Sequence, residues 1–598
     1  MLRNEIAVQD TWDLSRIFKS SGDWEQQFRS VSEKLEIFPN LEQNMLRSAE
    51  DLFQTITKIF EIGEQVNRLY TYASLKYCED TTNQDAKRLL GKAQNLVTAY
   101  SGATAFFDTT LLELQPERLE TFLKEHKDLQ EYEILLRDLY RYQPHTLSKS
   151  EEKMLALFQK ERETASDVYQ TFTDSDLKFG NILDEDGNSV ELTDTNYMLY
   201  LQSGNREVRK SAFRTLYASY QQYQNTFAAL YAGQIETEKT LAQARKFDSA
   251  LAMSLFADSV TPEIYQNIIE NISGHLDVLF QYYQLKKKVL KLNELHIYDI
   301  YLPLMTEVSR KYSYEEAVQQ VLSAMEIFGE DYVEILRKGY ADRWVDVYPN
   351  QGKTGGAFSG GCATTDPYIL LNFQGLEEDV STLAHESGHS MHSYFTRTNN
   401  PIQYADYRIF VAEVPSTVNE LILAYYKLEH SQSREEKLSV LNHLMELYKG
   451  TIYRQIMFAE FEKITHELAE QGEILTADLL NQKYYALNQK YFGDEVILDP
   501  EIAFEWMRIP HMYYNFYVYK YAIGLTAASH IVKRIRNHEP GALDDYFAFL
   551  KTGTTKNPVE SLKIAGVDMT GTDVFDSAIT MFGEVIREFE KIYSGEAE

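Results

Sequence analysis

Ala384-His385-Glu386-Ser387-Gly388-His389-Ser390 is the stretch from which the rest of the chain can be read. It has the form H-E-x-x-H and lies within residues 377–395, where Val380, Leu383, Ala384, Met391, Tyr394 and Phe395 give helical character. Residues four apart on a helix lie one turn above each other on one face. His385 and His389 can therefore point at one metal ion. Glu386 follows the first His, so its carboxylate leans beside the ion, where a base for an attacking water must sit. With 13 His in 598 residues, chance gives this pattern in about two such chains per hundred. The motif therefore needs support from elsewhere in the chain.

A catalytic zinc takes three protein ligands and keeps one position open. His392 shares a face with His385, but the rise between them is roughly 10 Å, and one straight helix cannot surround a tetrahedral ion. His392 is expected to be structural or to support the ligands from behind. Asp406 is possible but falls in a predicted loop. Glu413 stands 413 − 389 = 24 residues after the second His, on a predicted following helix that can fold back onto the first. It is the preferred third ligand.

Composition narrows the class. A chain of this length needs two or more packed lobes. No apolar run approaches a membrane span, and the first ten residues carry no apolar core of signal-peptide length. The net charge of −31 argues against nucleic acid and anionic membranes as partners. Cys78 and Cys362 are the two cysteines; they are expected as free thiols in a reducing, cytoplasmic setting.

The first part of the chain reads as successive helices, over 41–67, 84–107, 116–140 and 148–171. Residues 182–192 read as a hairpin with Asp186-Gly187 at its turn, and the best boundary lies there. This divides the chain into an N-terminal helical lobe, 1–190, and a catalytic domain, 191–598. Thr261-Pro262-Glu263 is a strong helix start. Residues 343–348 and 368–373 read as strands around a glycine-rich loop, 352–361. That loop lacks G-x-x-x-x-G-K-[ST] and is not a phosphate cradle. It is read as a tightly turned β segment to whose strand edge a peptide adds itself. Helices follow from Ile409 and over 434–470 and 477–491. The stretch Arg508–Tyr521 is rich in tyrosine; on a helix, His511 and Tyr514 would face the same way, with Tyr521 near His511 and Tyr517 less well aligned.

H-E-S-G-H-x-x-H followed by F-V-A-E-V-P-S resembles the thimet oligopeptidase family of zinc metallopeptidases, most closely its bacterial oligoendopeptidase F branch. The likeness runs through nearly the whole chain. It includes Trp12-Asp-Leu-Ser, Asp184-Glu-Asp-Gly-Asn188, Gly356-Ala-Phe-Ser359, Arg508–Tyr521 and Ala565-Gly-Val-Asp-Met-Thr570. The resemblance implies a mostly α, bowl- or clamshell-like molecule, a small sheet beside the H-E-x-x-H helix, and cleavage of short peptides inside the cell. It implies one Zn2+ per chain on His385, His389 and Glu413, with Glu386 as base and a His and a Tyr donating to the oxyanion. His511 and Tyr514 are the residues to which that role carries over. Gly356, Ala357, Phe358 and Tyr521 are the candidate substrate contacts. An endopeptidase is expected; a C-terminal exopeptidase and a non-catalytic peptide-binding scaffold are the alternatives. An intact motif with Glu386 argues against the scaffold.

Overall fold

The computed structural model describes residues 1–305 and 310–595. The fold is mostly α, with small sheets. Among the described residues no helix is long and apolar enough to cross a membrane. The chain forms two compact units, each drawn from three stretches: Met1–Lys149, Ser309–Tyr426 and Arg534–Gly566 in the first, Ser150–Val308, Lys427–Lys533 and Val567–Glu598 in the second.

In the first unit the helices Ala49–Glu79 and Gln84–Thr104 run side by side. The Ser48 side chain accepts from Asp51 N–H at 3.1 Å and caps the longer one. Trp12 and Trp24 are buried against them, and the Trp24 indole N–H donates to Leu69 O at 2.9 Å. The same core takes in Tyr368 and Leu370 of a three-stranded sheet. Its strands are β1 (Val345–Asp346), β2 (Phe358–Gly360) and β3 (Tyr368–Leu370), in the order β1-β3-β2. β1 is parallel to β3; β2 is antiparallel, with Phe358 opposite Leu370. The central β3 is wholly buried, and β2 is an edge.

The sheet leads straight into the histidine helix, Glu377–Asn399. Asp379, in its first turn, accepts from the backbone N–H groups of Gln374 and Leu376, both at 2.8 Å, and so satisfies donors that the helix start leaves free. The glutamate helix, Ile409–His430, packs against it. The contact is backbone to backbone. A Cβ on Gly388 would lie 2.5 Å from Pro415 O and 2.6 Å from Ser416 Cα. The Gly of H-E-S-G-H and the Pro-Ser of V-P-S are thus the two sides of one close approach.

In the second unit the expected hairpin pairs Asn181–Leu183 with Ser189–Glu191, and Gly187 takes φ 80° in its turn. The helix start at Thr261 is present, with Thr261 Oγ1 accepting from Ile264 N–H. Two expectations differ. The helix over 434–470 is interrupted by a π turn at Lys449–Tyr453. The tyrosine stretch is not one helix: a 3-10 turn spans Pro510–Tyr513, Asn515 and Phe516 are left-handed at φ 50° and 57°, and the next helix starts at Tyr519. Consecutive left-handed residues cannot continue a right-handed helix.

The contact at Gly388 predicts that Gly388→Ala forces the two helices apart. Overpacking of this kind costs about 1–3 kcal/mol. A lower melting temperature in calorimetry, with weaker metal retention on dialysis, is the expected outcome; wild-type values for both would show that the approach is not limiting.

Candidate metal centre and tyrosine cluster

The helix pair brings three ligand atoms together. His385 Nε2 and His389 Nε2 are 3.2 Å apart. Glu413 Oε2 lies 3.3 Å from the first and 3.4 Å from the second. A tetrahedral ion with bonds of about 2.0–2.1 Å requires ligand atoms about 3.3–3.4 Å apart. The triangle fits such an ion, and among the described residues it is the group of His, Cys, Asp and Glu side chains suited to one. Glu386 sits beside it, buried, with Oε2 lacking a hydrogen-bond partner. An orphaned buried acceptor next to three convergent ligands fits a base awaiting a water.

Electrostatics agree. Burial works against a charged His385, yet its contacts with Glu413 and Glu420 raise it to about 10. Against its own burial, Glu413 is held well below the usual carboxylate range by His385 and His389. A spot that favours a proton so strongly favours a divalent cation for the same reason, and the cation displaces the proton. Burial raises Glu386, opposed by the two histidines; a raised carboxylate is a stronger base.

The surrounding side chains hold the ligands. Ser416 Oγ, one turn on from Glu413, lies 3.1 Å from Glu413 Oε2. Asn419 Nδ2 donates to Ala384 O at 3.1 Å and its Oδ1 accepts from the Tyr332 hydroxyl at 3.1 Å, which fastens the helices just before His385. Glu420 Oε2 is 3.3 Å from His385 Nδ1. When a cation displaces the Nε2 proton, that carboxylate holds the other proton on Nδ1 and leaves the Nε2 lone pair facing the site. Reading the sequence for direct ligands missed Glu420. The signal was there: 413, 416 and 420 recur at three and seven, one face of a helix.

His392 is not part of the triangle. It is fully buried, stacked on Tyr407 at 3.7 Å, and burial lowers it to about 3, helped by His389. Asp406 lies outside it too, accepting from Tyr407 N–H in the loop before the glutamate helix. The glycine-rich loop ends in β2. Gly356 O accepts from Asn372 Nδ2 at 2.8 Å, and Ser359 Oγ lies 2.8 Å from Ser390 Oγ, tying the edge strand to the histidine helix one residue past His389.

In the second unit, His511 gathers Tyr514, Tyr517 and Tyr521. Its ring is 5.3 Å from that of Tyr514 and 6.3 Å from that of Tyr517, and its Nε2 is 3.3 Å from the Tyr521 hydroxyl. Burial lowers His511, which keeps the ring neutral at ordinary pH. Tyr513 and Tyr519 are core rings, stacked on Tyr169 and edge-on to Tyr265. Tyr514 is 47% exposed. The stretch thus divides into tyrosines that fill the core and tyrosines that stand out of it.

Comparison with known proteins identifies the family. A family model described as Peptidase family M3 matches residues 199–581, and one described as Oligopeptidase F matches 111–179. The expected boundary near residue 190 falls between those two segments, whereas the hairpin itself lies within the second spatial unit. Oligopeptidase PepF of Bacillus subtilis is 41% identical over 99% of this chain and 88% of its own length. The plasmid oligoendopeptidase F of Lactococcus lactis subsp. cremoris is 37% identical, covering 99% and 98%. The crystal structure of oligoendopeptidase-F from Enterococcus faecium superposes with a TM-score of 0.73 at 33% identity, over 96% of this chain and 99% of that one. These matches run along nearly the full length, and the chain belongs to peptidase family M3, a family of peptide hydrolases.

Proposed function

We propose that this chain is a zinc endopeptidase that cuts internal bonds of short peptides in the cytoplasm. The observation that carries the proposal is the triangle of His385, His389 and Glu413 atoms at 3.2–3.4 Å with Glu386 beside it. Zinc, when bound, supplies Lewis acidity that polarises the scissile carbonyl and makes water easier to deprotonate. His385, His389 and Glu413 hold the ion, and Glu420 and Ser416 keep two of them in place. Glu386 takes the proton of the attacking water and returns it to the leaving amine. His511 and Tyr514 donate hydrogen bonds to the oxyanion. The exposure of Tyr514 and the neutral, donor-bearing ring of His511 support that role. Gly356, Ala357 and Phe358 offer backbone at and beside the open edge of β2, on which an extended peptide adds as a further strand; Tyr521 supplies a side-chain contact. Two free thiols agree with a reducing compartment.

Glu386→Gln is expected to retain zinc in metal analysis yet lose about 10²–10⁴-fold in turnover. Glu413→Ala should lose the metal itself, and Glu420→Ala should weaken zinc affinity by about 10–100-fold in a chelator competition. The reverse pattern would exchange the roles assigned here.

Products from one medium-length peptide, read by mass spectrometry, should show internal cuts; single residues or dipeptides released in series from the C-terminus would make the chain an exopeptidase. Peptides of roughly five to twenty residues should be cut, and a stable folded protein should not, because its backbone is already paired.

Tyr514→Phe keeps the ring and removes the hydroxyl. It should lower kcat by about 10²–10³-fold with little change in KM or melting temperature. A normal kcat, with His511→Ala strongly impaired, would move the donor to His511 or to another tyrosine.

A further inference from the structure

The turn between Tyr514 and Tyr517 is built from two consecutive left-handed residues that are not glycine, Asn515 and Phe516. Such backbone persists only where its surroundings hold it, and it concentrates at functional sites. Three contacts within the second unit hold this one. Phe516 N–H donates to Glu462 Oε1 at 2.6 Å. Ser254 Oγ donates to Asn515 O at 2.7 Å. The Phe516 ring is buried between His466, at 4.4 Å, and Tyr265, at 5.9 Å. Phe516 also borders an open cavity of about 550 Å³, so packing alone leaves room for it to shift. The backbone bond to Glu462 adds the directional hold that packing lacks.

Glu462 is unusual in itself. It is fully buried on the helix Arg454–Glu470, and its second oxygen has no partner. A buried carboxyl with half its capacity unused is costly, and hydrophobic residues would fill the space better. Besides its attraction to His466, Glu462 makes one side-chain bond, to a strained backbone.

We propose that Glu462 is a positioning residue for peptide hydrolysis: by accepting the Phe516 N–H it locks the Asn515–Phe516 turn and so sets where Tyr514 and Tyr517 stand. This rests on the oxyanion role given above to Tyr514. The carboxyl need not be ionised for it. Burial pushes Glu462 up to about 8, against the opposing pull of His466, so at neutral pH it is mainly the acid. Glutamine is then its close mimic, and methionine matches its volume while removing the acceptor.

The test uses the full zinc-loaded chain and two readouts: hydrogen exchange over residues 512–520, and kcat and KM on one peptide. Glu462→Met should raise exchange over the turn and lower kcat about tenfold, with KM within about threefold. Glu462→Gln should restore both. On a Tyr514→Phe background, Glu462→Met should cost little more, because both act through one hydroxyl. Wild-type exchange in Glu462→Met, or faster exchange with unchanged kcat, overturns the proposal. Should Glu462→Met fail to fold, Glu462→Leu removes the same acceptor, and wild-type exchange over the turn there overturns it equally. A normal kcat in Tyr514→Phe, beside faster exchange and impaired kcat in Glu462→Met, would sink the Tyr514 reading alone and leave Tyr517 as the ring that the turn positions.

Discussion

The close approach of two helices at Gly388 is the constraint on which the candidate metal centre depends. Imidazole and carboxylate side chains have fixed reach. For Glu413 to meet His385 and His389 at 3.3–3.4 Å, the two backbones must come within van der Waals distance. Only a residue without Cβ allows that opposite Pro415 and Ser416. The proline has a part in this as well. It lacks the N–H that would return to Val411, and beside it the Ser416 hydroxyl donates to Glu413 O at 2.9 Å. The polar fastening from Asn419 to Ala384 O and Tyr332 then keeps the crossing from sliding.

Much of this was legible in the sequence, for a physical reason. A period of four on a helix fixes where His385 and His389 point, and a following amphipathic helix fixes how Glu413 can return. His392 could be set aside by rise alone, and it is buried in a stack with Tyr407, outside the group of ligand atoms. The strand within 343–348 showed as alternation. Glu420 was missed because a residue that orients a ligand leaves no motif of its own; its signature is shared helical phase with Glu413.

Two features were beyond reach. The 508–521 stretch has helical spacing of its rings, yet Pro510 and two left-handed residues break the helix. Asn515 tolerates φ above zero, but nothing in Phe516 announces it; the surroundings impose it, through Glu462 and Ser254, each more than fifty residues away in sequence. The spatial units were equally hidden. Periodicity reports which face of an element is buried, not which distant element covers it. The hairpin lies inside a unit assembled from three separate stretches.

The N-terminus gives that interleaving a temporal meaning. Arg3 donates to Asp346 at 2.7 Å across 343 residues, and Asp346 is buried with Lys353 paired to it at 2.8 Å. That pair cannot form until β1 has emerged, although Arg3 also meets Glu79 at 3.4 Å. The first unit remains open until residues near 566 are free, and the second until the last helix is made. Neither can close as an early module on the nascent chain. Long-range pairing of this kind slows folding and prolongs exposure of apolar surface, so synthesis of this chain should place an unusually long demand on the chaperones that meet it at the exit tunnel.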